Sequence, residues 1–476
     1  MMIEISSNDT LYMYNLYHIV KAFFPNEEIR QKVDDRQEPL VRLVLEGGSC
    51  FSITKEQAGH SGDRQEMKRH VTKRIYDYLS SVTGRALAWG MLTGVRPTKL
   101  AMQKLENGMS QEETIRFLED VFGVSPQKAA LGCEIAQRER ELLGRLDCQN
   151  GWSLYVGIPF CPSICSYCSF GSSPLNRWAD KMDLYMDALC KEVSAIGRAA
   201  AGRKLNTIYI GGGTPTTLHA AQLDQLLSLL EEEFSFDNLL EFTVEAGRPD
   251  SITVEKLEVL ARHPVTRISV NPQTMQQKTL DAVGRRHSAQ DVKDVFWQAR
   301  RMGFTNINMD LIAGLPGEDA ADMRDTLRQI EELGPDSLTV HSLAIKRAAK
   351  FGQENREIDL HSGIEQMMEE CAASAERMGL LPYYLYRQKN IAGNFENVGY
   401  AKVDKAGIYN ILIMEEKQTI LAAGAGASTK IVLPEKITLE NGRQTSLVRI
   451  ENVKDIAEYI GRIDEMIERK GEWLWR

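Results

Sequence analysis

The sequence predicts an α/β protein whose core is a partial (β/α)6 barrel, with an α+β amino-terminal domain before it and an α+β carboxy-terminal extension after it. Six apolar, β-rich runs alternate with helical patterns between about residues 151 and 349. A hairpin signal and several helical patterns precede them, and more strand and helix signals follow. Such alternation is typical of a parallel sheet, because parallel strands need crossover connections. Six units rather than eight predict an incomplete barrel with a lateral opening.

Length, composition and charge restrict the function classes. The 476-residue chain is long enough for about two to three domains, and we expect them at residues 1–146 (α+β, substrate capture), 147–350 (barrel) and 351–476 (substrate-covering). The net charge of −9 argues against a general nucleic-acid binder. Eight cysteines do not form a secreted disulfide framework in so long a chain. We therefore expect a reducing cytoplasm. We also see no signal-peptide pattern and no apolar run long enough to span a membrane.

The amino-terminal part reads as a strand (residues 2–6), a helix (11–23) and a hairpin (40–45 with 50–54). Helical patterns follow at residues 64–80, 96–105, 111–122 and 126–146. The first of these helices is basic, and Arg96, Thr98 and Lys99 stand at the start of the second. Both features could hold an anion, and both are also compatible with a solvated helix face or a structural loop.

The barrel elements alternate regularly. Strands are predicted at residues 154–158, 207–210, 241–245, 267–271, 306–312 and 337–340, and helices at 182–200, 220–234, 253–262, 289–301 and 322–333. In such a sheet the chemistry lies at the carboxyl ends of the strands.

The loop after the first barrel strand carries three cysteines within eight residues, Cys161, Cys165 and Cys168. Pro159 and Pro162 prevent this loop from continuing as strand or helix. A structural zinc site needs four ligands, and neither a histidine nor a fourth cysteine lies nearby in sequence. A disulfide would leave the third thiol unpaired. A four-iron cluster held by three thiolates, with one iron open to an exchangeable ligand, fits this spacing better.

The carboxy-terminal part begins with a predicted helix at residues 362–378. Aromatic and basic residues then alternate between Tyr383 and Tyr400, which favours either stacking on a flat macrocycle or a packed strand. Small residues at 421–428 permit close approach to a ligand, a hairpin is predicted at Asn441-Gly442, and a terminal helix at residues 453–469.

The cysteine loop, with Tyr155 before it and Tyr167 within it, resembles the cluster loop of radical S-adenosylmethionine (SAM) enzymes. The flanks are similar to those of the oxygen-independent coproporphyrinogen III oxidase family, and the two ends of the chain resemble its HemZ-type coproporphyrinogen dehydrogenases. The resemblance implies that Cys161, Cys165 and Cys168 bind a [4Fe-4S] cluster and, with Tyr155, form the catalytic set.

The same resemblance implies the SAM contacts, residue by residue. Tyr155 and Gly212 would contact the cluster-bound SAM, and its other contacts would be Glu245, Arg285, Asp310 and Ala344. A second SAM would contact Gly213, Thr214 and Gln273. Alone, the run Gly211-Gly-Gly-Thr-Pro215 is a weak signal, because glycine-rich turns close many strand–helix units.

The implied activity is oxidative decarboxylation of coproporphyrinogen III propionates to vinyl groups in haem biosynthesis. It would need a tetrapyrrole substrate and an electron donor such as flavodoxin or ferredoxin. Phe170 departs from the pattern, because the oxidases carry a further cysteine there and phenylalanine resembles the haem chaperones. Haem trafficking, or radical chemistry on another tetrapyrrole or on RNA, are therefore the alternatives.

Overall fold

The computed structural model describes residues 2–25, 27–36, 38–58, 63–169, 171–343, 363–387, 395–439, 442 and 444–471. Phe170, Ala344 and Asn441 lie outside these residues, as does the basic end of the aromatic run at 388–394. The chain forms two compact units. The first comprises described residues of 1–138, 342–344 and 385–397, and the second comprises those of 139–341, 345–384 and 398–476. The functional roles expected for residues 1–146 and 351–476 stay predictions.

The first unit contains a four-stranded sheet covered by helices. Its strands are β1 (Met2–Ser7), β2 (Glu28–Val33), β3 (Val41–Val44) and β4 (Cys50–Ile53), in the order β2-β1-β3-β4. Its helices are α1 (Thr10–Phe23), α2 (Lys55–Ala58), α3 (Arg64–Thr83), α4 (Thr98–Glu106) and α5 (Gln111–Phe122), and α6 (Pro126–Leu143) begins here. The antiparallel pairing of β3 with β4 confirms the predicted hairpin. Strand β2 was not predicted, because most of its side chains are polar and exposed.

The core of this unit lies between α1, α3 and the sheet. Ile19 and Val20 of α1, Val71 of α3 and Val41 and Ile53 of the sheet are completely buried. The charged side chains of α3 instead face outward, and Lys73 pairs with Asp77 one turn further along the helix. The basic residues of α3 therefore lie on a solvent-exposed face of the helix.

The second unit is built on one large sheet. Its predicted barrel strands are β5 (Gly151–Ile158), β8 (Lys204–Gly212), β9 (Glu241–Gly247), β10 (Arg267–Val270), β11 (Ile307–Ala313) and β12 (Ser337–Ser342). They are neighbours in the order β12-β11-β10-β9-β8-β5. The pairs from β5 through β11 are parallel, as the alternating pattern predicts. A two-stranded ribbon of β6 (Phe160–Cys161) and β7 (Ser173–Pro174) holds the start of the cysteine loop.

Helices connect these strands. They are α7 (Met182–Ala199), α8 (Ala220–Glu233), α9 (Val254–Arg262), α10 (Gln277–Ala282), α11 (Ala289–Arg301) and α12 (Ala320–Leu333). Side-chain caps define several of their starts, for example Ser288 on α11 and Asp319 on α12. The short helix α10 was not predicted, since six residues are too few to show a helical period.

The carboxy-terminal residues extend the same sheet on both sides. Strands β13 (Leu381–Tyr386) and β14 (Asn397–Ala401) follow β12 at one edge. At the other edge, β15 (Thr419–Ala423) pairs in parallel with β5, and β16 (Ser428–Thr438) and β17 (Gln444–Glu451) complete the sheet. Among the described strands the order is linear, in agreement with the predicted open, partial barrel.

Four helices accompany these outer strands: α13 (Ile364–Arg377), α14 (Ile408–Glu415), α15 (Ile456–Gly461) and α16 (Ile463–Gly471). The prediction of one terminal helix over residues 453–469 was wrong, because the backbone leaves the helical conformation at Arg462 (φ −120°) directly after Gly461. Tyr383 of β13 is completely buried, so at this residue the packed-strand interpretation of the aromatic run holds.

None of the helices in the described part of the chain is both long enough and apolar enough to span a membrane.

Candidate active site

The three cysteines of the loop lie directly after β5, at the carboxyl edge of the sheet. Cys161 ends β6, Cys165 is buried, and Cys168 is partly exposed. None of these three cysteines takes part in a disulfide. The amide of Cys168 donates to the carbonyl of Cys165 (3.0 Å), which folds the second half of the loop into a tight turn.

The turn after α10 supports the cysteine loop from one side. The amide of Ser166 donates to the carbonyl of Val283 (3.1 Å). The hydroxyl of Ser163 donates to the carbonyl of Gly284 (3.1 Å). These bonds join the loop to the segment that leads into Arg285, so two regions distant in sequence are held at one place.

The glycine-rich turn after β8 supports the loop from another side. The amides of Gly213 and Thr214 donate to the carbonyls of Ile158 (2.8 Å) and Phe160 (2.7 Å). A Cβ on Gly213 would lie 2.5 Å from the carbonyl oxygen of Phe160, so glycine is required for this approach. Gly212 has φ 110°, a conformation that also favours glycine. The need for glycine here comes from backbone packing against the cysteine loop.

Two polar side chains point at the sulfur atoms. The hydroxyl of Thr214 lies 3.5 Å from Sγ of Cys161, and Nη1 of Arg248 lies 3.7 Å from Sγ of Cys165. Hydrogen-bond donors directed at sulfur suit thiolates, which carry negative charge and act as metal ligands. Three free thiols with donors behind two of them therefore fit an iron–sulfur cluster by their chemistry. Within the described residues, no three histidine, cysteine or carboxylate side chains surround one point closely enough for a single metal ion.

Next to this loop, polar side chains line the carboxyl half of the sheet at one position per strand. Each is partly exposed, whereas the residues before and after it on its strand are buried. They are Tyr155 of β5, Tyr209 of β8, Glu245 of β9, Asp310 of β11 and His341 of β12. We call these five residues the polar ring. The residues two positions earlier on these strands face the same side of the sheet and are buried, so this side borders open space only at the level of the polar ring.

Glu245 is the most perturbed carboxyl group of the polar ring. Burial raises its pKa to about 7, and the negative charge of Asp310 adds to this shift. The hydroxyl of Tyr209 donates to Oε1 of Glu245, and this bond opposes the rise because it stabilises the carboxylate. A partly desolvated carboxyl group with a pKa near neutrality is typical of a binding or catalytic site.

Asp310 behaves in the opposite way. Burial alone would raise its pKa, but the nearby His341, the hydrogen bond from Asn308 and the charge of Arg267 hold it below the ordinary value. Asn308 Nδ2 lies 2.7 Å from Oδ1 of Asp310, and His341 Nε2 lies 3.8 Å from Oδ2. The ring thus pairs one carboxyl that ionises near pH 7 with one that stays ionised.

Aromatic rings form one wall of the site. The rings of Tyr209 and Tyr409 stack with centroids 4.4 Å apart, and Tyr155 lies 6.3 Å from Tyr209 and 6.2 Å from Tyr409 in nearly parallel planes. Tyr409 comes from α14, far from the barrel strands in sequence. Burial raises the pKa of Tyr155, and the charge of Glu245 raises it further.

Gln273 and Arg285 border the site from the loops after β10. Gln273 has φ 68°, which is unusual for a residue other than glycine, and its side-chain oxygen is buried without a hydrogen-bond partner. The backbone N–H of Gln273 donates to the backbone carbonyl of Asp310 (2.9 Å). Arg285 is buried and donates to the hydroxyl of Tyr167 (3.1 Å) and to the carbonyl of Asn271 (2.5 Å), while its Nε has no partner. These unpartnered polar atoms are suited to a polar ligand.

Several residues of this region were missed from the sequence: Tyr209, Arg248, Arg267, His341 and Tyr409. The signal for Tyr209 and His341 was available, since both lie near the carboxyl ends of predicted strands. Tyr409 and Arg267 gave no signal, because a buried tyrosine or a strand arginine is ordinary without knowledge of what it faces.

The small-residue run at 421–428 was interpreted as permitting close approach to a ligand. At Gly424 the close neighbour is instead backbone, because a Cβ there would lie 2.4 Å from the carbonyl oxygen of Gly157. Glycine at this position therefore serves the packing of the chain against β5.

Comparison with known proteins identifies the family. The pattern of the Radical SAM superfamily matches residues 155–330. The oxygen-independent coproporphyrinogen-III oxidase-like protein HemZ of Bacillus subtilis is 39% identical over 416 residues, which is 86% of this chain and 81% of that protein. The haem chaperone HemW of B. subtilis is 36% identical over 200 residues (42% and 52%), and the oxygen-independent coproporphyrinogen III oxidase of Escherichia coli is 35% identical over 192 residues (40% and 42%).

Among solved structures, the coproporphyrinogen III oxidase HemN of E. coli is similar to this chain, with a TM-score of 0.53 and 25% identity over 69% of this chain and 72% of that one. The predicted radical SAM fold class is therefore confirmed. Radical SAM proteins use a [4Fe-4S] cluster and SAM, which confirms the predicted cofactors at the level of the superfamily. This chain belongs to the radical SAM superfamily and, within it, to the oxygen-independent coproporphyrinogen-III oxidase-like family.

Proposed function

We propose that this protein oxidatively decarboxylates propionate side chains of coproporphyrinogen III to vinyl groups, without oxygen, giving protoporphyrinogen IX. The observation that carries the proposal is the polar ring of Tyr155, Tyr209, Glu245, Asp310 and His341, open to solvent beside a loop of three free thiols. The similarity to relatives named as coproporphyrinogen oxidases and oxidase-like proteins supports the choice of substrate.

In this proposal Cys161, Cys165 and Cys168 ligate the [4Fe-4S] cluster as thiolates. The bound cluster and SAM supply the one-electron cleavage of a carbon–sulfur bond of SAM. The protein holds the loop in place through the turns at Gly213 and Val283. Together with the ligands, these turns would hold the reacting groups in position, which is what a protein contributes to cofactor chemistry.

The residues around the open space would bind SAM. The proposed contacts are Tyr155, Gly212, Glu245, Arg285 and Asp310, together with Ala344, which lies outside the described residues. Carboxylates such as Asp310 accept hydrogen bonds from ribose hydroxyls, and the guanidinium of Arg285 can donate to a carboxylate. Gly213, Thr214 and Gln273 would contact a second SAM. The unpartnered oxygen of Gln273 and Nε of Arg285 support these contacts, because buried polar atoms need partners.

The reaction that we propose balances as follows. Each propionate loses one hydrogen atom from the carbon next to the ring, one molecule of carbon dioxide and one electron, and a vinyl group remains. The hydrogen atom ends in 5′-deoxyadenosine, and SAM is consumed to give this product and methionine. An electron donor such as flavodoxin or ferredoxin supplies one electron per SAM, and a one-electron acceptor takes the electron that the substrate releases.

Haem trafficking is the second candidate, and two observations favour it. HemW chaperones match about 200 residues of this chain at 36% identity, and Phe170 stands where the oxidases carry a cysteine. We favour the enzyme because the HemZ match spans 86% of the chain, whereas the HemW match spans 42% of it.

The proposal is tested by anaerobic product analysis with coproporphyrinogen III, SAM and a reductant. We expect protoporphyrinogen IX, carbon dioxide and one 5′-deoxyadenosine per vinyl group formed. Cys165→Ala should abolish all three products, and Cys190→Ala, which replaces a free cysteine on α7, should retain them. Protein loaded with a cluster that binds haem tightly but forms no vinyl product would favour the chaperone.

We also propose that the amino-terminal domain captures the anionic substrate. The exposed cations of α3, such as Arg69 and Lys73, are its support. Reversing the charge at Arg69 (Arg69→Glu) should raise the KM for coproporphyrinogen and leave iron content unchanged, and an unchanged KM would contradict this role.

A further inference from the structure

Arg248 is a buried cation directly behind the cysteine loop. It follows β9, three residues after Glu245, and only 4% of its surface is exposed. Placing a guanidinium in the interior costs free energy unless its charge and its N–H groups are satisfied. The partners of Arg248 therefore show what the position is built for.

The guanidinium divides its donors between two targets. Nε and Nη2 bind the two carboxylate oxygens of Asp250 in a bidentate pair (2.9 and 2.6 Å). Nη1 points the other way, to the carbonyl and hydroxyl of Ser163 (2.9 and 3.0 Å) and to Sγ of Cys165 (3.7 Å). Asp250 thus fixes the orientation of the guanidinium, and its Nη1 is held against the cysteine loop.

A positive charge at this position affects the reduction potential of a cluster bound through the sulfur of Cys165. Hydrogen bonds to ligand sulfur and the net charge near a cluster are among the factors that set its reduction potential. Reduction adds one negative charge, and a buried guanidinium stabilises the more negative state because the interior screens charge poorly. A cation at Cys165 therefore makes reduction easier.

We propose that Arg248 is a positioning residue that raises the reduction potential of the cluster through its contact with Cys165, with Asp250 holding and partly neutralising it. This inference rests on the proposed ligation of the cluster by the three cysteines. It concerns one electron, which passes from a low-potential donor such as dithionite into the cluster.

The two members of the pair give opposite expectations. Arg248→Gln removes the cation, so the midpoint potential should become more negative by about 59 mV. For one electron, this shift lowers the ratio of reduced to oxidised cluster about tenfold at a fixed potential. Arg248→Lys keeps the charge and should shift the potential by less than the glutamine variant does. Asp250→Asn leaves the cation without its counter-charge, so the potential should become less negative.

The measurement is a redox titration of the anaerobic, cluster-loaded full chain, followed by electron paramagnetic resonance of the reduced cluster. Arg300→Gln is the matched control, since Arg300 also binds one carboxylate (Asp336, 2.6 Å) and two carbonyls in the same unit. Its potential should equal that of the wild type. Iron content is measured first, so a wild type that takes up no iron refutes the ligation itself.

The proposal for Arg248 is tested by comparing the midpoint potentials of variants that retain the cluster. Potentials of Arg248→Gln and Asp250→Asn that both equal the wild-type value would overturn it, as would shifts of the same sign. If Arg248→Gln does not retain iron, Asp250→Asn decides, and a potential of that variant equal to or more negative than the wild-type value would overturn the proposal.

Discussion

Glu245 should destabilise the ligand-free fold at neutral pH, so Glu245→Gln is expected to be more stable than the wild type. Burial raises the pKa of Glu245 from 4.5 to about 7. When the pKa of an acid is raised in the folded state, the free energy of unfolding falls as the pH rises from the unfolded to the folded pKa. The loss is complete above the folded pKa. At about 1.36 kcal/mol per pKa unit, the shift corresponds to about 3 kcal/mol at pH 8. Partial exposure of the side chain reduces our expectation to about 1–3 kcal/mol.

The stability difference between Glu245→Gln and the wild type should depend on pH. The stabilisation by Glu245→Gln should be absent near pH 4.5, grow up to pH 7 and stay constant above it, because glutamine does not ionise. The amide oxygen can still accept the hydrogen bond from Tyr209, so that contact is retained. Thermal unfolding of cluster-free protein at pH 5 and pH 8 measures the effect as a difference in Tm between variant and wild type.

Asp310→Asn is the matched control on the neighbouring side of the polar ring. The pKa of Asp310 is held below its ordinary value, so its ionised form stabilises the fold above that value and the contribution is lost as the pH falls. The asparagine variant should therefore be less stable than the wild type at pH 8, opposite to Glu245→Gln. A Tm gain of Glu245→Gln that is equal at pH 5 and pH 8, or absent at pH 8, would refute the reasoning.

Three further predictions follow from the site. Gly213→Ala should lose most bound iron, because its Cβ would lie 2.5 Å from a carbonyl of the cysteine loop, while Gly461→Ala, with open space around its Cβ, should retain iron; equal iron contents would contradict this. Tyr209→Phe removes a hydroxyl that stabilises the Glu245 carboxylate, so the pH midpoint of SAM binding should rise, which isothermal titration from pH 6 to pH 8.5 would detect; an unmoved midpoint speaks against the contact. Gln273→Ala should keep the cluster and reduce coproporphyrinogen turnover more than uncoupled SAM cleavage, and an equal loss of both would remove the case for a second SAM.

The barrel could be predicted from the sequence because its signal is local. The six strands are short apolar runs with a predicted helix between each strand and the next, and this alternation itself predicts parallel pairing. The cysteine loop and the turn at Gly213 could be placed for the same reason, since both directly follow predicted strands.

The rest of the site depends on contacts that are distant in sequence. Strand β15 pairs with β5 although more than 250 residues separate them. Tyr409 of α14 likewise stacks on Tyr209 of β8. Arg248 resembles any polar residue after a strand until its distance to Cys165 is known. Periodicity and spacing do not report such partners, so these residues became visible only in the folded chain.

The most direct test of the account follows one hydrogen atom. Coproporphyrinogen III deuterated at the propionate carbon next to the ring is incubated anaerobically with the cluster-loaded protein, SAM and a reductant, and the 5′-deoxyadenosine is analysed by mass spectrometry. We expect deuterium to appear in 5′-deoxyadenosine in proportion to the vinyl groups formed. Unlabelled 5′-deoxyadenosine from substrate that keeps all its propionates would contradict it.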